Sequence, residues 1–296
     1  MTPNPLLKKL GYADNDRLVI LHTDDIGMCH ASLQAFINLW DFGAISSGAV
    51  MVPCPWFPAT AEFCRKNPEV DMGVHATLNA EWESYRWGPI STRDPHTGLI
   101  DPAGYFHQWH PAVYENATQE AVAAEVNAQV ERALAAGIDV THIDSHMDTI
   151  IHPRFFNSYL QAGASRRIPA MVLRTSAQGL ALMGIHDKNL DFYQPILDRL
   201  EADGLPMLDG MAWLPLEHAD DHIGLAKKLL SELPAGVSHF LFHPSLDTPE
   251  LRAIAPDWRA RVANYNAFMS QELKDYIKNS GIQVIGYRKL KDALRR

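Results

Sequence analysis

Short apolar runs alternate with amphipathic helical segments along almost the whole of this sequence. Runs of this length indicate strands, and the apolar residues that follow most of them at helical spacing indicate helices. Because each helix returns the chain to the same edge of a sheet, this alternation predicts parallel strands. Gly163 is expected to end the fourth helix. The predicted strands lie at 18–21, 44–52, 70–78, 140–148, 168–174, 207–214, 238–242 and 282–287, and the predicted helices at 31–42, 56–66, 118–136, 153–162, 192–202, 220–233, 258–279 and 289–295.

The distribution of polar residues favours a closed barrel over an open, doubly wound sheet. Acidic and histidine side chains end apolar runs across the whole chain, whereas an open sheet gathers its functional residues at one switch point. No glycine-rich phosphate loop follows the first apolar run, which also argues against a nucleotide-binding sheet. A (β/α) barrel normally takes about 250 residues, and this chain has 296. We therefore predict an α/β fold with a single domain over residues 1–296, a (β/α) barrel that is either distorted or seven-stranded.

Charge and cysteine content exclude several classes of protein. The net charge of −9 argues against a nucleic-acid partner and against anionic membrane surfaces. Cys29, Cys54 and Cys64 form no CxxC pair, which indicates a reducing compartment rather than a disulfide framework. The first residues lack the apolar segment of a secretory signal, and no apolar run reaches the roughly 18 residues that a membrane span needs. We expect a cytoplasmic protein without a membrane span, and a homodimer remains open.

The first strand ends in two adjacent carboxylates. Asp24 and Asp25 follow the segment LVILHT, whose first four residues form an apolar run, and precede a helical pattern. Just past the end of a strand both side chains can face one cavity, although an aspartate there can also cap the following helix. Later apolar runs end in histidine: His75 lies in GVHATLN and His243 in FLFHPS. A single histidine at a strand end is often only a packing residue. The functional site is therefore indicated by the combination of acids and histidines at several strand ends.

The segment HIDSHMD is more specific. His142, Asp144, His146 and Asp148 are spaced by two, so an extended strand places all four on one face. Four titratable groups on one strand face are costly in a dry core unless they have partners or a metal ion. Asp144 suits the task of orienting a histidine ligand. The segment therefore predicts a functional site.

An aromatic-rich excursion interrupts the strand–helix alternation at about 81–112. It is too long for an ordinary connection, and structureless segments of this length are usually functional. Trp82, Trp87 and Trp109 are its most prominent side chains. A segment that leaves the carboxyl end of a barrel strand emerges on the catalytic face. We expect the excursion either to cover a site there or to form a packed lid or a subunit interface.

In this order, the motifs TDDIG, GVHATLN, HIDSH and FHPS resemble those of the YdjC-type (ChbG/HpnK-like) carbohydrate deacetylases, which are relatives of the polysaccharide deacetylases. The resemblance extends from residue 18 to about residue 245. It implies a divergent (β/α) barrel and one divalent metal ion. It also implies removal of an acetyl group from an N-acetylated amino sugar or a related small saccharide.

The resemblance also implies roles for individual residues. Asp24 would be the general base, and His243 would be the acid that protonates the leaving amine. The metal ligands would be Asp25, His75 and His146. The remaining candidates would contact substrate or orient the ligands, and the tryptophans would offer flat faces to sugar rings: His142, Asp144, Arg174, Trp82, Trp87 and Trp109.

The chemistry of such a site agrees with the resemblance. An amide is a poor electrophile, and an Asp-His-His set leaves metal positions open for water and a carbonyl. Nitrogen and oxygen ligands without cysteine favour Zn²⁺, with Mg²⁺, Mn²⁺ and Co²⁺ as alternatives. A metal-dependent hydrolase of another bond, such as a phosphoester or a non-sugar amide, is one alternative function. A sugar-binding relative without turnover is another, but neither Asp24 nor His243 would be needed merely to hold a metal.

Overall fold

The computed structural model describes residues 2–174, 187–217 and 220–296. Its strands are β1 Arg17–Ile26, β2 Ser47–Val50, β3 Met72–Ala76, β4 Ile143–Ser145, β5 Gly210–Trp213, β6 Gly236–Phe242 and β7 Gln283–Val284. Its α-helices are α1 Pro5–Leu10, α2 His30–Phe42, α3 Phe57–Lys66, α4 His110–Asn116, α5 Gln119–Ala135, α6 Phe156–Ala164, α7 Asp187–Ala202, α8 His222–Glu232, α9 Pro249–Ile254, α10 Trp258–Phe268, α11 Gln271–Asn279 and α12 Tyr287–Arg295.

The strands form one parallel sheet that curls into a distorted barrel. The order is β4-β3-β2-β1-β6-β5, and β7 pairs with the beginning of β1. Two isolated parallel bridges, Ile143↔Ala170 and Leu173↔Leu208, place residues 170–173 between β4 and the segment that leads into β5. These bridges complete the ring, and the helices surround it. The predicted fold class is confirmed.

The strand predicted at 168–174 is reduced to these two bridges. Met171 N donates to Ile143 O (2.8 Å), and Arg174 N donates to Leu208 O (2.7 Å). Pro169 has no N–H to contribute, which shortens the ladder at its beginning. The segment therefore closes the barrel without forming a regular strand.

Among the helix boundaries that differ from the prediction, two have a clear local cause. The helix predicted over 258–279 is divided into α10 and α11, because the Ser270 side chain accepts from Leu273 N and caps a new helix there. Gly163 does not end α6, which continues to Ala164. A Cβ at Gly163 would lie 2.5 Å from Ile168 O, so this glycine permits a close backbone approach instead.

β1 lies at the centre of the sheet and is buried along almost its whole length. Its apolar residues at 18–21 pack into the core. At the amino end of the strands, Tyr287 of α12 is buried against the barrel interior, where its ring stacks on His142 at 3.8 Å between ring centroids. The C-terminal helix therefore contributes to the floor of the barrel. No helix in the described ranges is long and apolar enough to cross a membrane.

The aromatic excursion packs against the barrel. It contains the 3₁₀ turn Pro95–Thr97 and an antiparallel bridge between Ile100 and Phe106, and α4 follows it. Glu125 of α5 accepts from Ile90 N (3.1 Å) and Ser91 N (2.8 Å). These bonds attach the excursion to α5.

Candidate active site

Polar side chains occupy much of the barrel interior toward the carboxyl ends of the strands. Because side chains alternate along a strand, residues two positions apart face the same side. His22 and Asp24 stand in this relation on β1, and His239 precedes His243 by four positions at β6. His22, Asp24 and His239 are all buried. The strands therefore position these three side chains directly.

The two adjacent acids both reach one cavity because Asp25 leaves the strand conformation. Asp25 has φ 59°, in the left-handed region that non-glycine residues seldom adopt. Both carboxylates line a cavity of about 460 Å³, with His75, His146 and His243 around them. Such backbone strain is often found at functional sites.

Asp25, His75 and His146 place three ligand atoms around one point. Asp25 Oδ1 lies 3.2 Å from His146 Nδ1 and 3.5 Å from His75 Nε2. Oδ1 is buried and makes no hydrogen bond of good geometry with any described residue. An orphaned carboxylate oxygen that faces two imidazole nitrogens is the donor set of a divalent cation. The residues present therefore fit a metal ion.

The outer nitrogen of each histidine is held by a carboxylate. His75 Nδ1 lies 2.7 Å from Asp144 Oδ1, and His146 Nε2 lies 3.0 Å from Glu81 Oε2. Such carboxylates fix the tautomer and the ring orientation of a histidine ligand. Burial lowers the pKa of His146, but Glu81 and Asp25 outweigh burial and raise it to about 9. No strand-end pattern marks Glu81, which lies at the start of the excursion.

Arg261 neutralises the other oxygen of Asp25. Its Nη1 lies 2.7 Å from Asp25 Oδ2, and its Nε lies 2.9 Å from Asp257 Oδ1. Burial favours the protonated form of Asp25, but the charge of Arg261 prevails and holds the Asp25 pKa well below its usual value. Arg261 lies in α10, so no strand-end pattern could have identified it.

Asp24 lies between histidines. Its Oδ1 is 3.1 Å from His22 Nε2, and its Oδ2 is 3.6 Å from His243 Nε2. Burial raises the pKa of Asp24, but the charges of His75 and His22 outweigh burial and lower it. Burial also lowers the pKa of His243. Asp24 is therefore ionised, and it forms an acid–imidazole pair with His243.

Asp144 connects this site to a deeper histidine layer. Its Oδ2 lies 3.0 Å from His22 Nε2 and 3.5 Å from His142 Nε2. The His142 ring packs against Gly73, where a Cβ would lie 2.3 Å from it. His142 thus lies beneath the cavity and touches Asp144 rather than Asp25. His22 and His239 were missed, although their period-two spacing to Asp24 and His243 could have identified them.

The prediction that four residues from His142 to Asp148 share one strand face is wrong. β4 ends at Ser145, and the chain enters a 3₁₀ segment at His146. Met147 and Asp148 then adopt φ 50° and 53°. This left-handed turn ends the alternation directly after His146.

Arg174 lies in a separate cluster of charges. Its Nη1 is 2.8 Å from Asp209 Oδ1, and its Nε is 2.9 Å from Glu201 Oε1. These partners join the 170–173 segment to α7 and to the start of β5. The structure does not bring Arg174 to the cavity that contains Asp25.

The three tryptophans of the excursion have different surroundings. Trp109 is 56% exposed and lines the cavity with Trp82, which is 8% exposed and lies beneath the Arg261 guanidinium. Trp87 is only 3% exposed, and its Nε1 donates to Asn79 O (2.8 Å). Trp87 is therefore held within the protein and leaves no open ring face.

Comparison with known proteins gives concordant matches over nearly the whole chain. A model of the YdjC-like protein family matches residues 18–279. A carbohydrate deacetylase of Thermus thermophilus is 30% identical over 269 residues, which cover 91% of this chain and 92% of that protein. A carbohydrate deacetylase of Thermoanaerobacter pseudethanolicus is 19% identical over 93% of this chain and 100% of its own. The fold matches a crystal structure from Enterococcus faecalis with a TM-score of 0.76 and 23% identity, over 93% of this chain and 99% of that one.

Proposed function

Because the chain belongs to the YdjC-like protein family, we propose that it is a metal-dependent deacetylase of N-acetylated amino sugars or related small saccharides. The observation that carries this proposal is the convergence of Asp25, His75 and His146 beside Asp24 and His243 in one cavity. A metal-capable triad, an ionised acid and an imidazole are the groups that amide hydrolysis needs.

Asp25, His75 and His146 are the residues that would hold the metal. A divalent cation there would polarise the amide carbonyl and lower the pKa of water. The set contains only nitrogen and oxygen atoms, which favours Zn²⁺, with Mg²⁺, Mn²⁺ and Co²⁺ as alternatives. Arg261, Asp144 and Glu81 keep the three ligands in place through the contacts described above.

Asp24 and His243 are suited to move the proton. Asp24 accepts a proton from the water whose oxygen forms the new bond to the carbonyl carbon. His243, 3.6 Å from Asp24, is close enough to receive that proton and to deliver it to the nitrogen as the C–N bond breaks. The products are acetate and a free amine. The low pKa of His243 makes it a ready proton donor once it is charged.

The large cavity offers groups that suit a sugar. Trp109 presents an exposed ring face, and Trp82 lies beside it on the cavity wall. Glu217 and Asp257 also line the cavity and can accept hydrogen bonds from hydroxyl groups. The same carboxylates disfavour an anionic phosphoester, which supports the saccharide over that alternative.

The test is acetate release from a panel of N-acetylated saccharides by chelator-treated enzyme, with and without added divalent metal. We expect release from at least one amino-sugar substrate and restoration of that release by metal. A phosphoester panel serves as the control and should give no turnover. Saccharide binding without acetate release, with metal present, would overturn the proposal in favour of a binding protein.

A further inference from the structure

A second cavity, of about 210 Å³, adjoins the first at Asp24. Both cavities are lined by Asp24, His75, Met147 and His243. Asp25 and His146 line only the larger one. Asp24 and His243, which are proposed to move the proton, therefore border both cavities. An amide substrate has an acyl end and an amine end, and the two cavities offer one space for each.

Carboxylates line both spaces, and the smaller one adds a wall of four apolar side chains from β5, β6 and residue 171. We call the larger one the acidic cavity, because its wall includes Glu81, Glu217 and Asp257. We call the smaller one the apolar cavity after four side chains of its wall: Met171, Met211, Trp213 and Leu241.

Sheet register explains why the apolar side chains meet. In the pairing of β5 with β6, Met211 is opposite His239 and Trp213 is opposite Leu241. Residues in register on neighbouring strands point to the same face, so these side chains form one wall. Met171 joins them from the segment that closes the barrel.

The polar groups that border the apolar cavity are partly engaged elsewhere. Asp144 is 2.7 Å from His75 Nδ1, and His239 Nδ1 is 2.8 Å from the Tyr287 hydroxyl. Ser145 and Asp148 border it from the β4 side. The wall made by β5, β6 and residue 171 thus offers mainly methyl, methylene, thioether and ring surface.

We propose that the apolar cavity receives the acyl group and admits acyl chains longer than acetyl, so that N-propionyl and N-butyryl amino sugars are also substrates. This inference rests on the proposed function. A hydroxylated ring finds its hydrogen-bond partners in the acidic cavity, whereas an alkyl chain needs none and matches the apolar wall.

The size of the cavity supports a longer chain. A methyl group takes about the room of a water molecule, roughly 30 Å³ in the liquid. The apolar cavity, at about 210 Å³, is several times larger than an acetyl methyl requires. Each buried methylene should favour binding by about fourfold. Methionine side chains are flexible and adapt to chains of different length.

The experiment measures kcat/KM by release of free amine, with metal-loaded enzyme and chitobiose analogues that carry N-acetyl, N-propionyl or N-butyryl groups. We expect the N-butyryl value to lie within about tenfold of the N-acetyl value. A loss of about 100-fold or more on the N-butyryl analogue, with N-acetyl hydrolysed, would overturn this inference alone. No amine release from any analogue would instead contradict the proposed function.

Three variants test whether the acyl group lies in the apolar cavity. Leu241→Phe fills the apolar cavity and should lower the ratio of N-butyryl to N-acetyl kcat/KM by about tenfold. Met211→Ala enlarges the cavity and should raise that ratio, which keeps the test decisive if Leu241→Phe does not fold. Leu134→Phe, at an exposed position on α5, is the control and should leave the ratio unchanged. Equal ratios in all three variants would place the acyl group elsewhere.

Discussion

Arg261 is the sole described residue that forms a hydrogen bond with Asp25 Oδ2, and both partners are buried. Without the guanidinium, Asp25 would be a buried carboxylate held only by histidines, a costly arrangement. We expect Arg261→Gln to weaken metal binding by about 10- to 100-fold, the usual effect of losing a residue that supports a ligand. Competition with a chromogenic chelator measures this affinity.

Arg259→Gln is the matched control for that substitution. Arg259 lies on the same helix and is exposed, over the ring of Trp258. Its loss should leave metal affinity unchanged. Equal affinities for the wild type and for Arg261→Gln would show that Asp25 does not need this ion pair.

Asp24→Asn tests whether Asp24 acts as the general base rather than as a metal ligand. Asp24 faces His22 and His243, and the change removes a proton acceptor while keeping its size. We expect the metal content to persist and kcat to fall by about 10²-fold or more. Metal analysis and acetate release on the same sample measure both properties. Near-normal turnover would mean that the base lies elsewhere.

With His146 as a ligand, metal binding should have a defined pH dependence. Its pKa in the metal-free protein is raised to about 9, so below that pH a cation must displace its proton. Metal affinity should therefore rise as the pH increases from 6 to 9, with at least one proton released per metal at pH 7. Calorimetry in buffers of different ionisation enthalpy counts these protons.

Two histidine variants test the origin of that proton. His146→Gln should reduce the count by about one, whereas His96→Gln, at an exposed position in the excursion, should not change it. A wild-type protein that releases no proton would contradict the assignment of His146 as a ligand.

The candidate residues that sequence could identify are those at strand ends. Asp24, Asp25, His75 and His243 end apolar runs, and parallel strands bring such residues together. Arg261 and Glu81 come from a helix and a loop, where no local pattern marks a residue that faces a distant strand. His142 lies directly before β4 rather than on it, and its depth beneath the cavity depends on packing against Gly73 and Tyr287.

Among the larger elements, the aromatic excursion divides into a buried part and a cavity-lining part. Trp87→Ala removes a buried ring and its hydrogen bond to Asn79 and should cost about 3–5 kcal/mol of unfolding free energy. Trp109→Ala removes an exposed ring, so its unfolding free energy should change little. Its KM for an oligosaccharide should rise about fivefold, and its KM for a minimal acetamide should not.

Chemical denaturation and steady-state kinetics on both variants check this division. The two tryptophans serve as controls for each other, because they share a segment and differ in exposure. If Trp109→Ala leaves saccharide kinetics unchanged but alters the molecular mass in solution, the exposed ring belongs to a subunit interface.

Helix and strand boundaries depend on local signals in the sequence, and some helix-start signals were not recognised. α1 and α9 were missed, although each begins with proline after a capping residue, Asn4 or Thr248, which is a recognisable helix start. Ser270 supplied a similar signal within the helix predicted over 258–279. β4 was predicted too long because the period of its polar residues matched a strand beyond the point where the backbone turns.

The way in which the ring of strands closes cannot be predicted from local sequence. Alternating strands and helices predicted the class of fold, but the ring is completed by two isolated bridges on either side of residues 170–173. Its floor includes Tyr287 from the C-terminal helix, which contacts His239 of β6 and His142, the residue directly before β4. These contacts join segments far apart in the chain and depend on the complete fold.

We propose above that deacetylation requires one divalent metal ion, held by Asp25, His75 and His146. The most direct measurement titrates metal into the chelated protein while acetate release from an N-acetylated saccharide is followed. We expect activity to rise to a plateau at one equivalent per chain. The folded double variant His75→Ala, His146→Ala should show neither binding nor activity. Full activity of the metal-free wild type, or metal-restored activity in the double variant, would contradict the claim.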